Sequence, residues 1–427
     1  MTTVAPTPVT MASPTGDLPR LLPRTGGSSL VDHLDRWGDL VAPADLVAEV
    51  GRAGLRGRGG AGFPTAVKMA AVRQAASGRR RPVVVANGTE GEPISSKDRV
   101  LMERNPHLVL DGVVASARAL GADRAVVCVS QGSLGALASM REAVVSRRGS
   151  DPLLVEVVLT PDRYLTGEET ALVNWLNSGR PLPTLSPPRP AERGVGHRPT
   201  LVDNVETMAN VGLIARFGGS WWRRIGSTED PGSMLLTLSG AVERPGVYEV
   251  ELGAGLGRVL SSAGVGPIAG VLIGGYFGSW LSPETARQVS LDRASLSGFG
   301  ASLGCGAVVA LPAACCPLAE TARVTHWLAG QSAGQCGPCV NGLPSIAAGL
   351  DAMVEGDPTG HARSMVERWS GMVRGRGACK MPDGTVRFVG SALEVFADHV
   401  GVHRAGRCPG LDHPAVLPTP REDRRRS

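Results

Sequence analysis

A glycine-rich stretch at residues 54–62 constrains the fold of this chain more than any other feature. Five of its nine residues are glycines, Arg56 and Arg58 lie among them, and Lys68 follows. Glycine lets backbone N–H groups approach an anion with no side chain in the way, and arginine and lysine supply positive charge. A flexible basic loop would have a similar composition. Together with the motifs below, the stretch indicates a cradle for a phosphorylated cofactor.

The residues before this cradle argue against an ordinary dinucleotide-binding turn. Gly57, Gly59 and Gly62 have the G-x-G-x-x-G spacing of the dinucleotide fingerprint, which should follow a strand. Here residues 44–54 have the apolar spacing of a short helix. The fingerprint alone therefore gives little support to a Rossmann fold.

Apolar segments that alternate with helical patterns predict a parallel β-sheet covered by helices. The predicted strands are 82–86, 125–129 and 153–159. Ligands of such sheets bind at the carboxyl ends of the strands. The first strand delivers Asn87 and Glu90 to that edge, so we expect the cofactor there. Cys128 lies inside the second strand, and we expect it in the core.

Two later stretches bring polar side chains to the starts of helices. Glu168 and Glu169 open one predicted helix, and residues 203–207 lie at the head of another. Carboxylates at a helix start can simply favour the helix dipole, or they can line a cofactor pocket. The residues alone leave both interpretations open.

The pattern changes twice after residue 230. A hairpin around residues 243–245, followed by a short helix and a strand, is typical of a small β-grasp-like unit, and the chain is helical from about residue 311 to 403. The predicted fold class is therefore α/β, with an α/β cofactor domain, a β-grasp-like domain and a C-terminal helical bundle. The predicted boundaries are a disordered tail at 1–28, the α/β domain at 29–228, the β-grasp-like domain at 229–290, the helical domain at 291–404 and a disordered tail at 405–427.

Charge and hydropathy exclude two classes of partner. The net charge of +5 comes partly from the tail run 424–426, whereas a nucleic-acid site needs a clustered basic face. The uncharged segment 294–319 is interrupted by Pro312 and several glycines, so we expect a buried strand and turn there, not a membrane span. No secretory signal is visible, and we expect a cytoplasmic protein.

Three cysteines form a candidate metal site. Cys336 and Cys339 are separated by Gly-Pro, and Cys379 follows. A thioredoxin-type redox pair would need a strand before it, but the preceding residues look helical. Three cysteines at helix ends fit an iron–sulfur cluster that lacks one ligand, or a zinc site completed by a histidine such as His326 or His399.

Taken in order, these motifs resemble one family. The cradle, the Glu90-Gly-Glu-Pro loop, residues 167–170 and residues 203–207 are similar to those of the NADH-binding, FMN-containing 51-kDa subunit of respiratory complex I and of related hydrogenase and formate dehydrogenase subunits. The similarity runs from about residue 40 to about residue 400. It implies a flavin domain, a β-grasp domain of the soluble-ligand-binding (SLBB) type and a helical bundle with a 4Fe–4S cluster.

The resemblance also implies roles for particular residues. The FMN phosphate would be held by Gly57, Gly59, Gly60, Ala61 and Lys68, and the rest of the flavin by Asn87, Glu90, Glu168, Asn204 and Thr207. Phe63, Glu92 and Glu169 would face NADH, with Glu92 and Glu169 as the catalytic candidates. Cys336, Cys339 and Cys379 would hold the cluster. The implied partner is an iron–sulfur subunit like the 24-kDa subunit, or a ferredoxin.

The chain departs from the family pattern in its cluster motif. Family members have a third cysteine before Cys336, and this chain has Ala333 there. A water molecule, Ser332 or one of three further cysteines would have to complete the ligand set. Those three are Cys315, Cys316 and Cys408.

Further departures affect the nucleotide sites. Arg189 and Ala71 stand where the family has aromatic residues, and Thr89 replaces a carboxylate in the loop after Asn87. Arginine can stack on adenine, but two rings are lost. We therefore expect the FMN site to be better kept than the NADH site.

Three functions remain open from the sequence. The chain could pass electrons from NADH or another reductant through FMN to iron–sulfur centres. It could instead exchange electrons with a ferredoxin and never bind NADH. It could also be a non-catalytic paralogue, although a structural paralogue has no need for four acids, Glu90, Glu92, Glu168 and Glu169, in one cleft.

Overall fold

The structure, a computed structural model, describes residues 18–23, 27–76, 80–151 and 153–420. These residues form two compact units. The first comprises the described residues up to Gly91, together with Ser95–Leu236 and Gly246–Ala254. The second comprises Glu92–Ile94, Thr237–Pro245 and the described residues from Gly255 onward.

The first unit is an α/β domain. Its helices are α1 (Leu30–Trp37), α2 (Leu46–Ala53), α3 (Thr65–Ala75), α4 (Lys97–Arg104), α5 (Pro106–Leu120), α6 (Leu134–Ser146), α7 (Glu169–Ser178) and α8 (Val205–Trp222). Its strands are β1 (Val83–Gly88), β2 (Arg124–Ser130), β3 (Val155–Thr160), β4 (Thr200–Asn204), the first half of β5 (Ser233–Gly240) and β6 (Gly246–Glu251).

Strands β1 to β4 form the predicted parallel sheet, in the order β3-β2-β1-β4. Val85 of β1 pairs with Val126 of β2 on one side and with Val202 of β4 on the other. The valines of β1 are fully buried, as expected for a parallel sheet covered on both faces. The sequence did not reveal β4, because its polar end, Asp203 and Asn204, resembles a loop.

Helices cover both faces of this sheet. On one face, α5 and α8 approach closely at Gly112, where an added Cβ would lie 1.7 Å from the Met208 carbonyl oxygen. On the other face, Leu172 of α7 packs with Val85 and Cys128. Burial raises the pKa of the Cys128 thiol to about 12, which suits the core role predicted for it.

The second unit combines a mixed sheet with a helical bundle. Its helices are α9 (Leu256–Ser262), α10 (Pro283–Gln288), α11 (Arg293–Ser297), α12 (Pro317–Gly330), α13 (Leu343–Val354), α14 (His361–Val373), α15 (Met381–Val395) and α16 (Ala397–Ala405). Its strands are the second half of β5, β7 (Ile268–Ile273), β8 (Ser279–Leu281) and β9 (Ala307–Pro312). Strand β9 pairs in parallel with β5 and antiparallel with β7, and β8 is antiparallel to β7.

The predicted fold class is confirmed. The uncharged segment at 294–319 contains the buried strand β9, as predicted, and its turns. No helix among the described residues is long and apolar enough to cross a membrane. The predicted domain boundaries remain predictions.

Parts of both predicted tails are packed, which differs from the disorder we expected. In the first unit, the buried Glu249 carboxylate accepts hydrogen bonds from the backbone N–H groups of Arg20, Leu21 and Leu22. In the second unit, Glu320 accepts from the N–H groups of residues 416 and 417. Tail composition does not reveal a buried carboxylate elsewhere in the chain that satisfies these amides. The remaining tail residues, including 424–426, lie outside the described residues.

Candidate functional site

The strand order of the first unit creates a switch point between β1 and β4. Strands β2 and β3 extend the sheet on one side of β1, and β4 lies on the other side. Asn87 and Asn204 pair at the carboxyl ends of the two strands, and the Asn204 side-chain amide donates to the Asn87 carbonyl oxygen at 3.3 Å. Open α/β sheets bind ligands at such a point.

The glycine cradle lies against this switch point. Its ends are closed by hydrogen bonds from Gly57 N–H to the Phe63 oxygen at 2.9 Å and from the first amide of α3 to Leu55. An added Cβ at Gly59 would lie 3.3 Å from Cβ of Asn204. Gly60 has φ 120°, which L side chains rarely adopt.

Three consecutive amides of the cradle have no acceptor. Within the described residues, the N–H groups of Gly59, Gly60 and Ala61 donate no hydrogen bond. Backbone amides without protein partners in a glycine-rich turn form an anion site. The cradle therefore fits a phosphate group such as that of FMN.

The two arginines do not supply charge to this site, which corrects our interpretation of the stretch. Arg58 is only 6% exposed, donates to the Ser233 oxygen at 3.0 Å and lies 3.9 Å from the Glu206 carboxylate. Arg56 donates to the Gly62 oxygen at 3.0 Å. Both guanidinium groups brace the loop, and the pattern of glycine and arginine could not distinguish bracing from anion binding.

Lys68 is the cation nearest to the predicted role. Its ammonium group donates to the Val202 oxygen at 2.7 Å and lies 3.4 Å from Glu169 and 3.6 Å from Asp203. Burial lowers its pKa, but the two carboxylates outweigh burial and the pKa is raised. Lys68 is therefore charged at neutral pH and shared between two acids.

Asp203 is a site residue that the sequence analysis did not single out. It is 7% exposed, and its Oδ2 atom has no hydrogen-bond partner within the described residues. Burial, opposed by Lys68 and supported by Glu169, raises its pKa to about 6. A buried acid that is part protonated near neutral pH is typical of functional sites. Its signal in the sequence was only its place at the end of the missed strand.

A buried ion network holds Asn204 in place. Lys97, which is 1% exposed, lies 2.6 Å from Asp98 and 2.8 Å from Glu206. Asp98 accepts a 2.6 Å hydrogen bond from Asn204, whose side-chain oxygen in turn caps α8. The network holds the head of α8 against the carboxyl end of the sheet, and no pattern in the sequence indicated that Lys97 is buried.

Several predicted flavin contacts are helix caps or loop ties. Glu90 accepts from the N–H groups of Asp98 and Arg99 at 3.1 Å at the start of α4, and burial, with Asp98 next, raises its pKa. Glu168 caps α7 through the Ala171 N–H at 2.9 Å. These carboxylates therefore shape the loops around the site, as the dipole interpretation proposed.

Two other predicted contacts also hold loops in place. The Asn87 side chain donates to the Gly167 oxygen at 2.9 Å. The Thr207 hydroxyl accepts from the Arg58 N–H at 2.9 Å. Each ties a loop of the site to the sheet or to α8, so their places agree with the predicted region while their direct contact with flavin remains a prediction.

The residues predicted to face NADH differ in their surroundings. Phe63 is 43% exposed, and Glu169 is a partly exposed partner of Lys68. Glu92 belongs to the second unit, where it accepts a hydrogen bond from the Tyr276 N–H at 2.7 Å. Their catalytic role remains a prediction.

In the second unit the structure brings together the three cysteines of the predicted cluster. Burial raises the pKa of the Cys339 thiol to about 12, and the nearby thiols of Cys336 and Cys379 add to the shift. All eight cysteines lie in the described residues and none forms a disulfide. The donor set fits a cluster with three thiolate ligands, because Ala333 offers none.

The other residues considered as a fourth ligand have partners elsewhere. Four of them, with the atoms they face, are Cys315 at 3.0 Å from His413, Cys316 at 3.1 Å from His403, His399 at 3.2 Å from Cys408, and His326 at 2.5 Å from Asp351. Only Ser332 and water remain from the candidates considered.

Two family models match this chain. The model described as the Nuo51 FMN-binding domain matches residues 50–213, which contain the cradle and the parallel sheet. The model of the NADH-ubiquinone oxidoreductase-F iron–sulfur binding region matches residues 319–403, which contain the three cysteines.

Full-length relatives and solved structures are also similar. The second of the numbered F subunits of the NADH-quinone oxidoreductase of Rhizobium meliloti (strain 1021) is 33% identical over 86% of this chain and 90% of its own length. The F subunit of the Streptomyces coelicolor enzyme is 32% identical over 86% of this chain and 85% of its own length. A crystal structure of an NAD+-reducing NiFe hydrogenase in the H2-reduced state aligns with a TM-score of 0.76 and 31% identity, over 84% of this chain and 62% of that chain. This chain therefore spans under two thirds of the hydrogenase chain.

Proposed function

Because the chain belongs to the family of the NADH-quinone oxidoreductase F subunits, we propose that it is the electron-entry subunit of an oxidoreductase. It transfers electrons from NADH through FMN to iron–sulfur centres. The observation that carries the flavin part is the set of three acceptor-free amides in the cradle, packed against Asn204 at the switch point.

The residues of the first unit would divide the work of binding FMN. The amides of Gly59, Gly60 and Ala61 would bind the phosphate, and Lys68 would add a positive charge. When bound, FMN accepts a hydride and releases its electrons one at a time. Asp203, with a pKa of about 6, can offer either a proton or a lone pair to a cofactor atom.

Glu169 would act on the dinucleotide side of the site. It is held near Lys68 at 3.4 Å, so that its charge is balanced while part of the side chain stays exposed. Phe63, which is exposed, would supply an apolar surface for the nicotinamide. Glu92 would complete the predicted set.

We expect NADH to bind more weakly than in relatives with both aromatic residues. The side chain of Arg189 is exposed, and neither Arg189 nor Ala71 presents a ring to a dinucleotide. The alternative, a ferredoxin as the electron donor or acceptor, would require no adenine contact at all. The two differ in whether NADH reduces the bound flavin.

The cluster of the second unit would be held by Cys336, Cys339 and Cys379. We propose a 4Fe–4S cluster whose fourth iron binds water or Ser332. Its partner would be a small iron–sulfur subunit, like the 24-kDa subunit of complex I, or a ferredoxin. We place the protein in the cytoplasm, with partner subunits as its route to a membrane complex.

One experiment tests the function as a whole. The full chain, purified and reconstituted without oxygen, is titrated first with NADH and then with chemically reduced ferredoxin, while the flavin absorbance is followed. Bleaching by NADH supports the proposal. Bleaching by ferredoxin alone favours the ferredoxin-linked function, and no flavin absorbance at all contradicts both.

A further inference from the structure

A second group of metal-ligating side chains lies in the second unit, apart from the three cysteines of the predicted cluster. Its members come from three parts of the chain: Cys316 at the start of α12, His399 and His403 on α16, and Cys408 just after α16. One ligand atom from each residue lies within 4.8 Å of all the others. Cys316, His403 and Cys408 are buried and His399 is half-buried.

The geometry points to a structural zinc site, and we propose that Cys316, His399, His403 and Cys408 bind one Zn2+ ion tetrahedrally. Two thiolates and two imidazoles are a standard donor set for structural zinc. Tetrahedral sites of mixed sulfur and nitrogen ligands favour zinc over the cations that prefer oxygen. This proposal does not depend on flavin or NADH binding.

The distances leave room for an ion after a small adjustment. The Cys316 sulfur lies 3.1 Å from Nε2 of His403, and the Cys408 sulfur lies 3.2 Å from Nε2 of His399. With Zn–S about 2.3 Å and Zn–N about 2.0 Å, tetrahedral ligand atoms lie roughly 3.5–3.8 Å apart. The ligands would therefore open by a few tenths of an ångström.

The histidines are presented as zinc ligands usually are. His399 and His403 are four residues apart on one helix, so both rings lie on the same face, with centroids 5.4 Å apart. Nδ1 of His403 lies 2.7 Å from the Val354 carbonyl oxygen. A hydrogen bond there fixes the tautomer and leaves the Nε2 lone pair towards Cys316, which is the usual arrangement around zinc.

The surroundings of the cysteines suit thiolates bound to a cation. The Ala319 N–H donates to the Cys316 sulfur at 3.3 Å, at the N-terminus of α12. Burial raises the pKa of Cys316 to about 12, so the thiol stays protonated unless a cation replaces the proton. Binding of Zn2+ would release one proton from each of the two thiols. The buried site would then carry no net charge.

Zinc at this site would fasten the end of the chain. Cys408 follows α16, and the Gly410 oxygen accepts a hydrogen bond from the Cys316 N–H at 3.2 Å. The chain then continues to Leu417, whose N–H donates to Glu320 at 2.8 Å. One ion would thus join the start of α12, the helix α16 and the C-terminal segment.

The test measures zinc and iron in the full chain by mass spectrometry. The background variant is Cys336→Ser with Cys339→Ser, which removes the competing thiolates of the predicted cluster. We expect about one zinc per chain in this background, and the same after dialysis against a weak chelator. Zinc below about a tenth of that amount would overturn the proposal, as would a disulfide between Cys316 and Cys408 in thiol mapping.

Point variants decide the ligand set. Cys316→Ser and His403→Gln should each lower zinc affinity by about tenfold or more. The matched control is Cys315→Ser, because Cys315 is the neighbour of Cys316 but contacts His413 instead. Equal loss of zinc in the control and in Cys316→Ser would contradict the assignment.

A measurement on the unmutated ligands covers the case in which these variants do not fold. Zinc is replaced by Co2+ in the background variant. Visible bands of tetrahedral cobalt with thiolate-to-metal absorption are expected, and Zn2+ should remove them. Octahedral cobalt spectra without thiolate absorption would overturn the proposal.

Discussion

At the scale of single residues, Asp203 has the environment that departs most from an ordinary carboxylate. Its raised pKa of about 6 means that the folded protein keeps a proton which the unfolded chain releases near pH 4. Folding stability contributed by this residue is therefore present below about pH 4 and is lost as the pH rises to about 6. Ionised Asp203 is a cost to the folded state at neutral pH.

This cost predicts a pH-dependent effect of Asp203→Asn. The variant should gain stability relative to the wild type between about pH 4 and pH 6, on the order of 2 kcal/mol. Thermal melts of the flavin-free protein at several pH values check this. Glu156→Gln, a half-exposed carboxylate on β3, is the control and should show little change with pH. A pH-independent difference for Asp203→Asn would contradict the raised pKa.

A single added side chain in the cradle should abolish flavin binding. Gly59→Val places a Cβ 3.3 Å from that of Asn204 and fills the space over the free amides. We expect FMN affinity to fall at least about a hundredfold, because the phosphate loses backbone donors. The control is Gly51→Ala on α2, whose new Cβ would meet only Ala66 at 3.6 Å. Flavin fluorescence titration measures both, and unchanged affinity in Gly59→Val would remove the cradle from the site.

At the scale of elements, the sequence predicted those that carry a periodic signal. The apolar runs of β1, β2 and β3 identified the parallel sheet. Strand β4 was missed because half of its few residues are polar, and its identity depends on pairing with β1. The same limit applies to Arg58 and Lys97, whose burial depends on acids distant in the sequence.

The metal sites show the same limit. Local spacing identified Cys336 and Cys339, and the family resemblance added Cys379. The four members of the proposed zinc site were considered separately or not at all, since Cys316 lies far from α16 in the sequence. Their meeting point is set by the packing of α12, α16 and the C-terminal segment.

The turn between α12 and α13 gives a prediction for the cluster. Ala333→Cys should supply the missing thiolate and slow the loss of iron in air, because no iron would then be open to water or oxidants. Visible absorbance and iron content after timed exposure check this. Ala329→Cys, near the end of α12, is the control and should not protect the cluster. Equal decay of wild type and Ala333→Cys would mean that residue 333 does not face the cluster.

At the scale of the whole molecule, the sequence predicted the fold class, the order of its parts and the family. It did not predict that residues 18–23 and the chain up to residue 420 are packed. Glu249 and Glu320 bind those segments through backbone amides, and such contacts leave no trace in tail composition. The described ends of the chain therefore belong to its two compact units.

The overall electron pathway predicts weak use of NADH. Each lost aromatic stacking contact is worth roughly 0.5–1.5 kcal/mol, so two could weaken NADH binding about tenfold or more. Arg189→Phe should tighten NADH binding, as measured by the Michaelis constant for NADH oxidation. Arg193→Phe, a nearby exposed arginine outside the motif, is the control. An unchanged or higher constant in Arg189→Phe would count against the stacking account.

Binding of FMN to the anaerobically purified full chain tests the central claim most directly. The account predicts that one FMN binds per chain with a dissociation constant at or below about 1 μM, equivalent to about 8 kcal/mol, and gives a flavin absorbance spectrum after gel filtration. A folded wild-type protein that retains no flavin after reconstitution at this concentration would contradict the account.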